Sequence, residues 1–181
     1  MAYRNGTYVA FDGNGTTNPT EGNIKYFNLL KAWSENKNID FSFSDSHQKT
    51  YQVNDSSKIA TLKNRLEERL RNSKNMIVII TNNTSWNRGL LCWEIEKAVD
   101  YYKLPLLIVY TDYSKIINVD SHSQEWPKAL KERIENGKAK CIHLPFRKEL
   151  ILDAISQFSI NSKYPNTSKD YYSQATYDSL K

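Results

Sequence analysis

Apolar residues in this chain fall into short continuous runs, separated by stretches where they recur every three or four positions. Thr7 to Phe11, Met76 to Ile80, Leu104 to Tyr110 and Ala139 to Leu144 are the runs. Met76-Ile77-Val78-Ile79-Ile80 has no polar member, the pattern of a strand buried on both faces. Ile39 to Phe43 alternates apolar with polar and adds a further strand. Between them lie helical stripes. Ile24, Phe27, Leu30 and Ala32 or Trp33 mark a helix over Thr20 to Asn36, with Pro19-Thr20 as its cap. Ile59, Leu62, Leu66 and Leu70 mark a second, and Leu91, Ile95, Ala98 or Val99 and Tyr102 a third. A fourth runs from Glu125 to Asn136 and is closed by Gly137; a fifth, Lys148 to Phe158, is built on Leu150, Ile151, Ala154, Ile155 and Phe158.

Strand and helix alternate five times, so the expected class is α/β, with a parallel sheet covered on both faces because right-handed crossovers place the helices there. The arrangement expected is a flavodoxin-like three-layer sandwich with a five-stranded parallel sheet in the order 2-1-3-4-5. Residues 1–160 form its body, and 161–181, rich in Ser, Tyr and Lys, form a tail or surface-hugging extension. That order puts a switch point between strands one and three, beside Asp12-Gly13-Asn14 and Thr81-Asn82-Asn83. The polar stretch from Ser44 to Ser57 is a candidate lid or binding loop. Glu94 sits early in the third helix, displaced by one residue from its apolar stripe, where a carboxylate can look into a groove. Glu96 faces away into solvent.

Composition narrows the function classes. With 181 residues, 39% hydrophobic and 25% charged, the chain can bury a sizeable core. No apolar run approaches the ~20 residues of a membrane span, and Met1 to Gly6 carries no apolar signal region, so a cytoplasmic protein is expected without membrane contact. A net charge of +5 would suit nucleic acid, but the bases are interleaved with acids, as in Lys63 to Arg71, which reads as a solvated helix face. Cys92 and Cys141 have no CxxC spacing and no neighbouring histidine, so both read as reduced structural thiols and no metal is expected; His47, His122 and His143 are isolated. The chain lacks a complete dinucleotide fingerprint and a P-loop, and a phosphoacceptor receiver domain is not matched, since strand one offers only Asp12, strand three ends in Thr81 and strand five in His143-Leu144-Pro145. Gly13 to Thr17 resembles a phosphate-cradling turn, which keeps a flavodoxin-like FMN-binding protein among the alternatives.

The segments Tyr8 to Phe11, Phe41 to His47, Ser73 to Ile80 and Trp93-Glu94-Ile95-Glu96-Lys97-Ala98 together resemble a bacterial TIR-like domain of the ThsB type found in Thoeris antiphage systems. The likeness extends over about Tyr3 to Phe158. It implies an enzyme of the NAD+ glycohydrolase or ADP-ribosyl cyclase kind. Such an enzyme consumes NAD+ as substrate with no further cofactor, releases nicotinamide, and makes a cyclic or otherwise modified ADP-ribose messenger for a separately encoded effector. A phage-derived trigger and a homo-oligomer belong to the same picture. The family's catalytic glutamate falls on Glu94. Substrate contacts are assigned to Phe11 and Asp12 at the end of strand one, Asp45 and Ser46 at the start of the long loop, and Trp93 as a stacking ring. The competing roles are core packing for Phe11 and Trp93, and an Asx turn or helix cap for Asp12 and Asp45. Phe11-Asp12-Gly13-Asn14-Gly15 departs from the Ser-Tyr box of eukaryotic signalling TIR domains. A non-catalytic TIR-like interaction module is the remaining alternative.

Overall fold

The computed structural model describes residues 4–14, 23–38, 43–44 and 56–180. Its strands are β1 (Gly6–Ala10), β2 (Phe43–Ser44), β3 (Ser73–Ile80), β4 (Leu106–Tyr110), β5 (Cys141–Pro145) and β6 (Asp170–Tyr171). Its α-helices are α1 (Ile24–Ser34), α2 (Ser56–Arg71), α3 (Leu91–Glu96), α4 (Lys128–Glu135), α5 (Lys148–Gln157) and α6 (Gln174–Ser179). All strand pairs are parallel and the order is β2-β1-β3-β4-β5-β6. The flavodoxin-like order of the first five strands is therefore present, and a sixth strand of two residues joins at the β5 edge. The Pro19-Thr20 cap, most of the second strand as expected from sequence, and most of the Ser44 to Ser57 loop lie outside the described residues.

The two-residue period of the strands divides the core into two layers. Tyr8, Ala10, Met76, Val78 and Ile80 face one side, with Leu66 and Leu70 of α2, Leu91 and Ile95 of α3 and Leu130 of α4. Val9, Phe11, Ile77 and Ile79 face the other, with Phe27 and Leu30 of α1, Leu150 and Ile151 of α5 and Tyr177 of α6. The connection after β1 thus packs on one face and the connection after β3 on the opposite face. This is the geometry that opens a crevice at the carboxyl ends of adjacent strands.

The first helix spans Ile24–Ser34, inside the expected Thr20 to Asn36, and the third and fourth differ from the sequence expectation for local reasons. The fourth begins at Lys128 instead of Glu125, because Pro127 occupies the position before its first turn and a residue preceding proline is held out of helical backbone. The third changes winding after Glu96: Lys97–Tyr101 is a π-helical turn, and Tyr102 N–H donates to the Lys97 carbonyl at 3.0 Å. The wider turn keeps Ala98 and Val99 buried, while Tyr102 is half-buried and its hydroxyl donates to Glu67 at 3.0 Å.

Residues beyond α5 are tied to the body by tyrosines. Tyr177 is 2% exposed, and its hydroxyl both accepts from the Ile116 N–H at 3.1 Å and donates to the Ile116 carbonyl at 3.0 Å. His143 links the same region to the sheet through a neutral, fully paired network: its Nε2 bonds the Ser168 carbonyl at 3.0 Å and its Nδ1 pairs with the Tyr110 hydroxyl at 2.9 Å, which accepts from Trp126 at 2.7 Å. Burial pushes the His143 imidazole down to about 4. Tyr177→Phe should leave the buried Ile116 backbone pair without its partner and lower stability by about 1–3 kcal/mol. Urea unfolding should show this as a reduced midpoint at unchanged slope.

Candidate functional site

Glu94 sets the site. Leu91, Glu94, Ile95 and Ala98 occupy positions i, i+3, i+4 and i+7 of one helical face, so the carboxylate lies within the buried stripe and not merely at its edge. It is 4% exposed. From the sheet beneath, the Tyr8 hydroxyl donates to Glu94 Oε1 at 2.5 Å. Tyr8 is fully buried on β1, registered against Met76 of β3 and Ser44 of β2, so the donor has no freedom to move away. Among the described residues Oε2 has no protein donor. Glu96 is exposed, as expected, with its nearest cation Arg133 at 4.0 Å.

Burial pushes the Glu94 carboxyl up to about 7, against the opposing pull of the Tyr8 hydrogen bond. Burial and the neighbouring carboxylate together hold the Tyr8 phenol well above its usual range, so it remains a donor. The pair is a neutral phenol serving a carboxyl group that changes charge near neutrality.

A pocket of about 170 Å³ opens above Glu94, lined by Phe11, Asp12 and Gly13 after β1, Leu62 and Leu66 of α2, and Arg88 to Leu91 leading into α3. Gly89 takes a φ of +60°, the left-handed region that side-chain-bearing residues rarely adopt, and so turns the chain from Arg88 into the helix. Asp12 joins the two loops: its Oδ1 accepts from Asn14 N–H and its Oδ2 from Ser85 N–H, each at 2.9 Å. It is 4% exposed, and both oxygens are held by backbone.

Of the residues assigned from sequence, Glu94, Phe11 and Asp12 come together at this pocket. Phe11 also packs against Phe27 with ring centroids 5.3 Å apart. Trp93 stands outside the pocket lining, with the ammonium groups of Lys63 and Lys97 at 5.5 and 6.0 Å from its ring. Asp45 and Ser46, and the Gly15 to Thr17 part of the phosphate-like turn, lie outside the described residues. Two participants were not singled out from sequence. Tyr8 could have been, since a tyrosine in a strand buried on both faces needs a partner for its hydroxyl. Arg88 gave no signal beyond its place in a polar turn.

A family model described as the TIR-like domain of Thoeris protein ThsB matches residues 8–116, more than half of the chain. The chain belongs to the ThsB TIR-like family. The match contains the last three residues of β1 together with α2, β3 and α3, and with them every residue lining the pocket over Glu94. That family is one of Thoeris defence, a system with other components. No helix among the described residues is long and apolar enough to cross a membrane.

A larger groove of about 650 Å³ lies elsewhere, beside β6 and α6. Its polar groups are engaged with one another: Asp153 accepts from Tyr172 and Gln157, and Asp170 accepts from Asn166 and Thr167. The ThsB-like chain therefore has its chemically poised group in the smaller pocket.

Keeping an ionisable carboxyl in that pocket has a stability consequence with a definite sign. An unfolded glutamate titrates near 4.3, whereas folded Glu94 titrates at about 7. Between these values the native state retains a proton that the unfolded state has lost, so stability falls as pH rises through this window. Glu94→Gln should remove this loss, making the variant more stable than the unsubstituted protein at about pH 8 by up to roughly 3 kcal/mol and raising its melting temperature there, with the gap closing towards about pH 4.5. Thermal melts of both proteins across that range test the assignment.

Proposed function

We propose that this ThsB-family protein cleaves the bond between nicotinamide and ribose in NAD+ and passes the ADP-ribosyl group on to form a messenger. The observation that carries this reading is the buried Glu94 carboxylate, fixed by Tyr8 at Oε1 and lining the pocket. The leaving group is already cationic in the substrate. When the bond from ribose C1′ to the ring nitrogen breaks, the electron pair goes to nitrogen and nicotinamide leaves neutral. No general acid is required. The transition state instead concentrates positive charge on C1′ and the ring oxygen, and a fixed anion in a dry site stabilises it.

The ribosyl cation is then captured either by water, releasing ADP-ribose and a proton, or by a nucleophilic atom of the same ADP-ribose, closing a ring and releasing a proton. Messenger formation needs the second course. The apolar walls supplied by Leu62, Leu66, Leu90 and Leu91 favour it by limiting water beside C1′. A volume of about 170 Å³ is below the ~300 Å³ at which sites for whole drug-sized ligands begin. It suits the nicotinamide-ribose end, with the rest of the dinucleotide passing out over the rim. The effector of the system would be a separate chain reached by the diffusing product.

Glu94→Gln should abolish nicotinamide release from NAD+, followed by chromatography or mass spectrometry of the small molecules, while leaving the circular dichroism spectrum unchanged. Nicotinamide release persisting in this variant would end the proposal. Because the working form is the anion, kcat/KM for NAD+ should rise with pH through a midpoint at about 7. Tyr8→Phe deletes the hydrogen bond that favours the ionised carboxylate, so the midpoint should move to higher pH. A loss of activity with an unmoved midpoint would assign Tyr8 a packing role only.

A further inference from the structure

Arg88 stands at the rim of the same pocket with its charge little used. Its side chain is 49% exposed, and among the described residues its contacts are with Asn14 Oδ1, which accepts from Nη1 at 3.3 Å, and with Asp12, whose Oδ2 lies 3.8 Å from Nη1. The second distance is too long for a hydrogen bond. Asp12 has already committed both oxygens to the backbone N–H groups of Asn14 and Ser85. It therefore acts on Arg88 as a fixed counter-charge that orients the guanidinium without consuming its donors. The remaining N–H groups form a planar fork of the kind that matches phosphate oxygens.

The pocket thus has a charge pattern along its depth, an anion at the floor and an arginine at the mouth. We infer that Arg88 is the specificity-determining residue that binds a phosphate group of the substrate, restricting the site to cationic glycosides that carry a phosphate on the far side of the ribose. The inference rests on the NAD+ reading and refines it. A substrate positive at the scissile bond and negative a few atoms away fits the floor and the mouth together, while the uncharged-tail nucleoside satisfies the floor alone. Gly89, with its positive φ, holds Arg88 at the rim immediately before α3, so the same turn that seats Glu94 also sets the arginine.

The test compares NAD+ with nicotinamide riboside, which has the same cationic glycosidic bond and no phosphate. Binding of each is measured by calorimetry to the Glu94→Gln protein and to the same protein carrying Arg88→Gln or Arg88→Lys, so that turnover does not interfere. Arg88→Gln should lower the affinity ratio of NAD+ to nicotinamide riboside by about tenfold or more, the worth of a charge-assisted hydrogen bond. Arg88→Lys should retain part of the ratio, since it keeps the charge and loses the fork. An unchanged ratio, whether both affinities fall together or neither falls, would overturn the inference. Failure of the catalytic reading is separable: it would appear as NAD+ bound with an Arg88-dependent preference but not cleaved by the unsubstituted protein. Absence of NAD+ binding would remove both.

Discussion

The hydrogen bond between the Tyr8 phenol and the Glu94 carboxyl is the constraint around which the rest of this fold makes sense. A carboxylate taken out of water loses several kcal/mol of solvation unless something replaces it. Here the replacement is a single neutral donor, delivered from a strand that pairs on both sides and is itself buried. That compensation is partial, and the residual cost is seen as a carboxyl group displaced to about 7. The rigidity of the sheet makes the compromise reproducible. A donor on a loop could turn away and leave the acid protonated.

The second constraint is topological. Because the helix after β1 packs on one face and the helix after β3 on the other, the carboxyl ends of these two neighbouring strands are left uncovered, and their loops must be held by something other than a helix. Asp12 does this across the gap with its two backbone hydrogen bonds. The pocket floor is then fixed by core packing and its mouth by a staple between loops. The π-helical turn follows directly on the turn that presents Glu94 to Tyr8, and Ala98 and Val99 within it are buried.

Much of this architecture was legible in the amino-acid order. Continuous apolar runs announced β3 and β4, and the three- and four-residue spacing announced α2, α3 and α5, because those signals come from burial and the sheet buries both faces. What escaped was set by contacts distant in sequence. The last strand has two residues, Asp170 and Tyr171, neither with an apolar pattern, and exists because β5 offers an edge. Tyr172 and Tyr177 anchor the final segment through single rings in an otherwise polar stretch, too sparse to register as a period. At the site, the place of Glu94 near a crevice followed from periodicity and topology, whereas its pairing with a residue 86 positions away did not. Arg88 was invisible because a polar turn gives no hint of which side chain will overhang a pocket.

The contrast between the two carboxylates buried among the described residues decides how each should be understood. Asp12 and Glu94 are equally hidden, each 4% exposed. Asp12 returns what its burial costs, since both oxygens receive backbone donors and two loops are joined in the process. Glu94 receives one donor, joins nothing that Leu91 and Ile95 do not already join by packing, and would be replaced by an apolar residue of similar size if stability alone were at stake. Proteins keep such a locally unfavourable group where chemistry needs it. An anion held dry, with one oxygen fixed and the group lining a ring-sized pocket, is well suited to a reaction whose transition state is a cation and whose leaving group needs no proton.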